Sequence, residues 1–167
     1  MPERLPVEVG DGRRYLDDHD AQWDIIALDT FYDDGVPFHM TTREFLELVR
    51  SRLAPGGVVV TNVIGAVHGS SSKLFRSVYR TYRSVFPTVA VHPVGGASEG
   101  YENIAIVAGD GAAPTKAFLR DRWRAMRGRA PDLDAAINYR IDTLIPTGDV
   151  PTLTDAYAPV DALLQVE

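Results

Sequence analysis

Residues 23–64 contain two apolar segments on either side of an amphipathic one, and this pattern narrows the choice of fold more than any other part of the chain. The first apolar segment covers residues 23–28 and the second covers residues 58–64. Between them an apolar stripe recurs at three- and four-residue spacing, which is typical of a helix that buries one face. Its members are Phe45, Leu48, Val49 and Leu53. Two apolar strands joined by a helix form the basic unit of an open parallel sheet.

Asp29 follows the first of these predicted strands directly. Open parallel sheets bind their ligands at the carboxyl ends of the strands, so an acid at this position is a candidate for chemistry. The alternative is that Asp29 is only a turn residue, because Asp is common in turns. No glycine-rich nucleotide-binding turn precedes it in the sequence.

The rest of the chain continues the alternation of strands and helices. The patterns predict strands at residues 5–9, 88–92 and 103–108, and helices at residues 13–18, 73–86, 115–126 and 133–140. No helix fits between the last two strands, so we expect them to pair antiparallel. Residues 146–167 are predicted to form an irregular tail. We therefore predict a single α/β domain over residues 1–167, with a mostly parallel sheet that contains one antiparallel strand.

Three local features add detail to this prediction. Thr41 and Glu44 have the spacing of a capping box, which would start the helix between the two apolar strands. Pro55-Gly56-Gly57 is predicted to end that helix. The strand at residues 23–28 does not alternate apolar and polar residues, so we expect both of its faces to be buried.

The composition excludes several classes of function. The net charge of −6 argues against binding nucleic acid through a diffuse basic surface, and the absence of cysteine excludes disulfides and thiolate metal sites. The four histidines show no metal-ligand spacing, so we expect no metal. No apolar run approaches the ~18 residues of a membrane span, and the first twelve residues lack the apolar core of a signal peptide. We expect a cytoplasmic protein without membrane contact from this segment.

Motifs spread along the chain resemble a known family. They are Gly10-Asp11-Gly12, the predicted strand from Trp23 to Asp29, Pro37-x-His39-Met40-x-Thr42-x-Glu44-Phe45, Leu53-Ala54-Pro55-Gly56-Gly57 and Leu153-Thr154-Asp155-x-Tyr157-Ala158-Pro159-Val160. In this order they resemble the carboxyl-terminal half of spermidine synthases, the polyamine aminopropyltransferases. The likeness is greatest to bacterial spermidine-synthase-like proteins that are often fused to a transporter-like segment.

This resemblance implies the carboxyl-terminal portion of a Rossmann-like class I methyltransferase fold. It also implies transfer of an aminopropyl group from decarboxylated S-adenosylmethionine to an amine such as putrescine. In the Gly10-Asp11-Gly12 turn, Asp11 would accept a hydrogen bond from the adenine amino group. Asp29 would bind the attacking amine and help to remove its proton, because an ammonium cannot attack carbon.

The chain departs from the family pattern after Asp29. Spermidine synthases have a second acid three residues later, where this chain has Tyr32. Asp33 and Asp34 follow at once and are the candidates to replace the missing acid at the polyamine. Tyr32 is interpreted either as a wall of the substrate pocket or as a loop residue.

The resemblance also implies that the amino-terminal nucleotide-binding strands lie before residue 1. We therefore expect the chain to be part of a longer protein, because the strand at residues 23–28 would otherwise have a bare edge. The alternative is a domain that begins here and closes that edge by forming a homodimer.

Other functions and roles stay open on the sequence alone. The shared fold permits an S-adenosylmethionine-dependent methyltransferase, and the missing glycine-rich turn permits a non-catalytic module that docks on a partner. Asp11 has the position of a helix cap as well as that of an adenine ligand. His39 is interpreted as a structural residue of its loop rather than a proton shuttle, and Asp155 as part of a structural clasp.

Overall fold

The computed structural model describes residues 6–30, 37–96, 100–126 and 133–164. These ranges contain the strands β1 Trp23–Leu28, β2 Leu53–Gly65, β3 Thr88–Pro93 and β4 Glu102–Gly109. They also contain the helices α1 Gly12–Asp18, α2 Arg43–Ser51, α3 Lys73–Val85, α4 Lys116–Ala125, α5 Leu133–Tyr139 and α6 Val160–Leu164. The four helices predicted at 13–18, 73–86, 115–126 and 133–140 are confirmed. None of the helices in the described ranges is long and apolar enough to cross a lipid bilayer.

The strands form one sheet in the order β1-β2-β4-β3. β1 and β2 pair parallel, whereas β4 runs antiparallel to both β2 and β3. Helix α2 connects β1 to β2, and α3 leads from β2 past the position of β4 to β3. The predicted α/β class, with one antiparallel strand in an otherwise parallel sheet, is confirmed.

One face of the sheet packs against α2 and α3 to form the hydrophobic core. Buried apolar side chains of both layers meet there: Val59, Val63, Ile104 and Ile106 from the sheet, and Phe45, Val49, Phe75 and Val78 from the helices. Inside this core the hydroxyls of Thr61 on β2 and Tyr82 on α3 form a hydrogen bond. Burial raises the pKa of Tyr82, so its hydroxyl stays protonated and is available as the donor to Thr61.

Helix α2 begins one residue later than the capping-box spacing predicted. Thr42, not Thr41, is the N-cap, and its Oγ1 accepts the backbone N–H of Phe45 at 3.3 Å. Thr41 instead donates its hydroxyl to the carbonyl of Phe38 at 2.8 Å. Because Thr42 is the N-cap, the third helical position is Phe45 and not Glu44, so the predicted capping box does not form. Glu44 instead accepts the backbone N–H of Asp155. The spacing of Thr41 and Glu44 could not show that the distant residue Asp155 would donate a hydrogen bond to the Glu44 side chain.

The helix also ends earlier than predicted. It stops at Ser51, and β2 already begins at Leu53, so Pro55-Gly56-Gly57 lies within the strand. The pairing of β1 and β2 shifts register here, between the partners of Trp23 and Ile25. Gly56 has φ +81°, which favours glycine, and absorbs part of this irregularity.

The prediction of a strand at residues 5–9 is wrong for residues 6–9, which form no strand in the structure. Leu5 lies outside the described residues. Val7 is 87% exposed and Val9 is 98% exposed. A strand needs a neighbour for its backbone N–H and C=O groups, and no described strand pairs with these residues.

The prediction that β1 is buried on both faces is also wrong. Ile26 and Leu28 point into the core, but Ile25 on the opposite face is 65% exposed. No described helix covers that face of β1, whereas α4 and α5 cover the same side of the sheet farther along, at β3 and β4. Burial of a strand on both faces needs a layer on each side, which the residues of the strand cannot specify.

The segment from residue 146 to residue 164 crosses the helical layer and ends in α6. Arg80 of α3 donates to the carbonyls of Thr147 and Val150 at 2.6 and 2.9 Å. The backbone N–H of Leu153 donates to Thr81 Oγ1 at 2.9 Å, and the Leu153 side chain is fully buried. This segment is therefore fixed across α3 over most of its described length.

We expect Gly57→Ala to destabilise the fold. A Cβ at residue 57 would lie 2.8 Å from the carbonyl oxygen of Trp23 and 2.9 Å from that of Ala54, and neither backbone atom can move cheaply. The free energy of unfolding should fall by about 1–3 kcal/mol, the usual cost of overpacking. Urea denaturation measures it, with Gly111→Ala as the control because a Cβ there meets open space. Equal stability of the two variants would contradict the close approach at Gly57.

Candidate active site

Asp29 lies directly beyond β1 and is exposed. Its Oδ1 accepts a hydrogen bond of 3.2 Å from the side-chain amide of Asn62 on β2. The same amide nitrogen donates to Oδ1 of Asn103 on β4 at 3.0 Å. The sheet order thus brings one polar side chain from each of three neighbouring strands to the predicted position of chemistry.

Sequence analysis did not identify Asn62 or Asn103. The sequence feature that could have pointed to Asn62 is its side-chain amide, the single amide within the apolar run at residues 58–64. Its meaning depends on register, because the pairing of Leu28 with Thr61 is what places Asp29 beside Asn62. Asn103 reaches the same place from a strand that is distant in sequence.

The hydrogen bond from Asn62 orients the Asp29 carboxylate. One oxygen is bound by the amide, and no described residue forms a hydrogen bond with Oδ2. A carboxylate with one oxygen oriented and the other open to solvent can accept a charge-assisted hydrogen bond from a cationic amine. The same oxygen can then take a proton from that amine.

The Gly10-Asp11-Gly12 turn precedes α1, and Asp11 is the N-cap of that helix. Its Oδ1 accepts the backbone N–H of Arg14 at 2.9 Å. Nε2 of His39 lies 2.9 Å from Oδ2 of Asp11. The N–H of Arg14, and to a lesser extent His39, keep the pKa of Asp11 below its usual value, so Asp11 remains an ionised hydrogen-bond acceptor. The helix-cap interpretation is confirmed, and the adenine contact stays a prediction.

A cavity of about 680 Å³ opens beside this turn. It is lined by Pro6, Val7, Glu8, Gly10, Asp11, Gly12, Arg14, Tyr15, Asp18 and His19. Asp29 is not among the described residues that line it, and no hydrogen bond between described residues joins Asp29 to Asp11 directly. The structure therefore presents two separate polar centres, one at the turn and one at the end of β1.

The predicted polyamine contacts Tyr32, Asp33 and Asp34 lie outside the described residues. They stay predictions. Across the ranges that are described, no group of three or more His, Asp or Glu side chains is arranged to hold a metal ion.

His39 and Asp155 take the structural positions that the sequence indicated. The His39 ring contacts Asp11, and the backbone carbonyl of His39 accepts a hydrogen bond of 2.9 Å from Nη1 of Arg13. The Asp155 carboxylate accepts Nη1 and Nη2 of Arg13 at 2.8 and 2.6 Å, and the Thr42 hydroxyl at 2.6 Å. We call the contacts among Arg13, Thr42 and Asp155 the tail clasp.

The comparisons with known proteins agree with this architecture. The sequence model of the spermine/spermidine synthase domain matches residues 2–112. The chain belongs to the spermine/spermidine synthase family. This confirms the resemblance in the motifs before residue 112, which include both polar centres. The fold is accordingly the Rossmann-like α/β fold of that family.

Individual relatives match over part of their length. A polyamine aminopropyltransferase 2 of Pseudomonas aeruginosa is 40% identical over 88 residues, which are 52% of this chain and 25% of that protein. A probable polyamine aminopropyl transferase of Bifidobacterium longum is 36% identical over 85 residues, 51% of this chain and 19% of that protein. The chain thus spans about a quarter or less of these curated relatives.

A crystal structure of a probable spermidine synthase from Corynebacterium glutamicum superposes with a TM-score of 0.61 and 26% sequence identity. The superposition covers 72% of this chain and 46% of that one. The fold likeness therefore extends beyond the segment in which sequence identity to the curated relatives is found.

We expect the tail clasp to stabilise the fold in a pH-dependent way. Hydrogen bonds from Arg13 lower the pKa of Asp155 to about 2. Because this folded-state pKa lies below the ordinary value of about 3.9, the clasp stabilises the fold fully above about pH 4 and loses its effect as the pH falls towards 2. Both side chains are partly exposed, which limits the contribution to about 1 kcal/mol.

The measurement compares the wild type with Asp155→Asn by urea denaturation at about pH 6 and about pH 2.5. The difference in free energy of unfolding between the two proteins should be larger at the higher pH. A difference that does not change with pH would mean that the charge of Asp155 contributes nothing.

Proposed function

We propose that this chain contributes to an aminopropyltransferase active site. An aminopropyl group would move from the sulfonium sulfur of decarboxylated S-adenosylmethionine to an amine such as putrescine. Membership of the spermine/spermidine synthase family supports the reaction class. The main support for this reaction in the chain itself is the position of Asp29. It lies at the carboxyl end of β1, and one of its oxygens accepts a hydrogen bond from Asn62.

Asp29 is proposed to act at the attacking amine. Oδ2 would bind the amine and take its proton, because a protonated amine has no electron pair for attack. The new N–C bond forms as the C–S bond breaks, and the sulfur leaves as the neutral thioether 5′-methylthioadenosine. Asn62 would keep Oδ1 fixed during this step, so that the amine is held in one orientation.

The turn at Gly10-Asp11-Gly12 is proposed to bind the nucleoside. Asp11 remains ionised, and each carboxylate oxygen has a further lone pair after its bond to Arg14 or His39. One of these would accept the adenine amino group. The cavity of about 680 Å³ beside the turn provides space for a ligand of that size.

The remaining predictions about substrate and partners complete the proposal. Tyr32, Asp33 and Asp34 would contact the polyamine, and the protein would act in the cytoplasm, as a homodimer or together with an amino-terminal half. A methyltransferase is less well supported, because the matching family is that of spermine/spermidine synthases. A non-catalytic docking module would retain the fold but bind no nucleoside.

The first test is binding of 5′-methylthioadenosine to the 167-residue chain by calorimetry, with putrescine and spermidine in separate titrations. We expect micromolar nucleoside affinity, and Asp11→Asn should weaken it about tenfold because a charged acceptor is lost. Asn preserves the helix cap, so the variant separates the cap from the adenine contact. Asp20→Asn, at an exposed acid of the same region, is the control. A folded chain that binds no nucleoside would favour the docking module.

The second test addresses chemistry at Asp29. In the complete protein, with the amino-terminal half that the family resemblance implies, we expect Asp29→Asn to reduce aminopropyl transfer from decarboxylated S-adenosylmethionine to putrescine by about 10²–10⁴-fold, the usual contribution of a general base. Nucleoside affinity should stay nearly unchanged. Asp24→Asn, at an exposed acid on β1, should leave turnover intact. Turnover at the wild-type rate in Asp29→Asn would remove Asp29 from the mechanism.

A further inference from the structure

The tail clasp joins three parts of the chain that are far apart in sequence. Asp155 lies 142 residues from Arg13 and 113 residues from Thr42, and its carboxylate binds both. Its backbone N–H donates to Glu44 at 3.0 Å, and the backbone N–H of Arg43 donates to the carbonyl of Leu153 at 2.9 Å. Side-chain and backbone contacts together fix this part of the tail on the first turn of α2.

The clasp continues to the Gly10-Asp11-Gly12 turn through Arg13. Its Nη1 donates to Asp155 and also to the carbonyl of His39. The ring of the same histidine contacts Oδ2 of Asp11. An unbroken series of hydrogen bonds therefore runs from the tail, through Arg13 and His39, to the acid that is proposed to bind adenine.

The geometry of these bonds favours orientation over stability as their main effect. A guanidinium and a carboxylate that share two parallel hydrogen bonds fix each other in direction as well as distance. An exposed pair of this kind adds only about 1 kcal/mol to stability. Without Asp155, Arg13 would keep its bond to His39 but lose the bonds that hold its guanidinium in place.

We propose that Asp155 is a positioning residue, which acts through Arg13 and His39 to set the orientation of Asp11 in the nucleoside site. The proposal deepens the proposed function and rests on it for the identity of the ligand. It assigns the tail segment a role in substrate binding in addition to packing. The role requires a carboxylate at this place, because both of its oxygens accept hydrogen bonds from the two Nη atoms of Arg13.

The structure supplies a matched control at Asp149. This acid lies in the same tail and binds both Nη atoms of an arginine, Arg76 of α3. None of the described contacts of Arg76 reaches the turn at Asp11, because its other partners are Ser72 and the carbonyl of Pro146. Asp149→Asn therefore removes an equivalent tail contact away from the proposed nucleoside site.

The experiment compares Asp155→Asn with Asp149→Asn in the 167-residue chain, after circular dichroism has shown that both fold. We expect Asp155→Asn to weaken 5′-methylthioadenosine binding about tenfold, and Asp149→Asn to leave it unchanged. Asp155→Asn should also change the Nε2 chemical shift of His39, which reports its bond to Asp11. Asp155→Glu, which retains the charge, should restore part of the affinity and also serves if Asp155→Asn does not fold.

The two readouts separate this proposal from the proposed function. If the wild type binds no nucleoside, the proposed function fails, and the His39 shift still tests whether Asp155 and Asp11 are coupled. An unchanged His39 shift in Asp155→Asn overturns the proposal. Equal loss of nucleoside affinity in Asp155→Asn and Asp149→Asn also overturns it, because the tail would then act only through general stability.

Discussion

The hydrogen-bond ladders on both edges of β2 hold the other parts of this molecule in place. β1 pairs along one edge of β2 and β4 along the other, so the register of β2 fixes what each neighbour presents at the end of the sheet. On one face β2 contributes Val59 and Val63 to the core beneath α2 and α3. At its end Asn62 links Asp29 to Asn103. A shift of one residue would exchange the two faces and separate Asp29 from its amide partner.

The second constraint is the path of the tail across the helices. Its contacts with Arg80 and Thr81 of α3 lead the chain to the first turn of α2, where Asp155 meets Arg13 and Thr42. The charged contacts between Asp155 and Arg13 are partly exposed and contribute little stability individually. Their consequence is geometric, because they fix α1 relative to α2 and with it the turn that carries Asp11. The two polar centres are thus held by different means, one by the sheet and the other by the tail.

Much of the architecture could be predicted from local pattern. Apolar periodicity located α1, α3, α4 and α5 to within a residue at each end, whereas α2 ended earlier than predicted and α6 was not predicted. The absence of a helix between residues 92 and 103 predicted the antiparallel pair. Two of the errors share one physical cause. Residues 6–9 have a sequence typical of a strand, but no described strand pairs with them. Ile25 is a residue type typical of a core, but no described helix covers its face of the sheet. Hydrogen bonds and burial both need a partner, and the pattern of a single segment does not contain one.

The candidate site divides in the same way. Asp29 and Asp11 were found because each stands beside a recognisable local element, an apolar strand or a glycine turn, and the family motifs contain both. Asn62, Asn103 and the connection from Asp155 to Asp11 were not found, because each is a contact between segments that are distant in sequence. The residues alone therefore identified the class of fold and the family, and they supplied the acids that are proposed for chemistry. Strand register and the course of the tail selected which side chains surround those acids, since orientation comes from packing between elements and not from the order of residues within them.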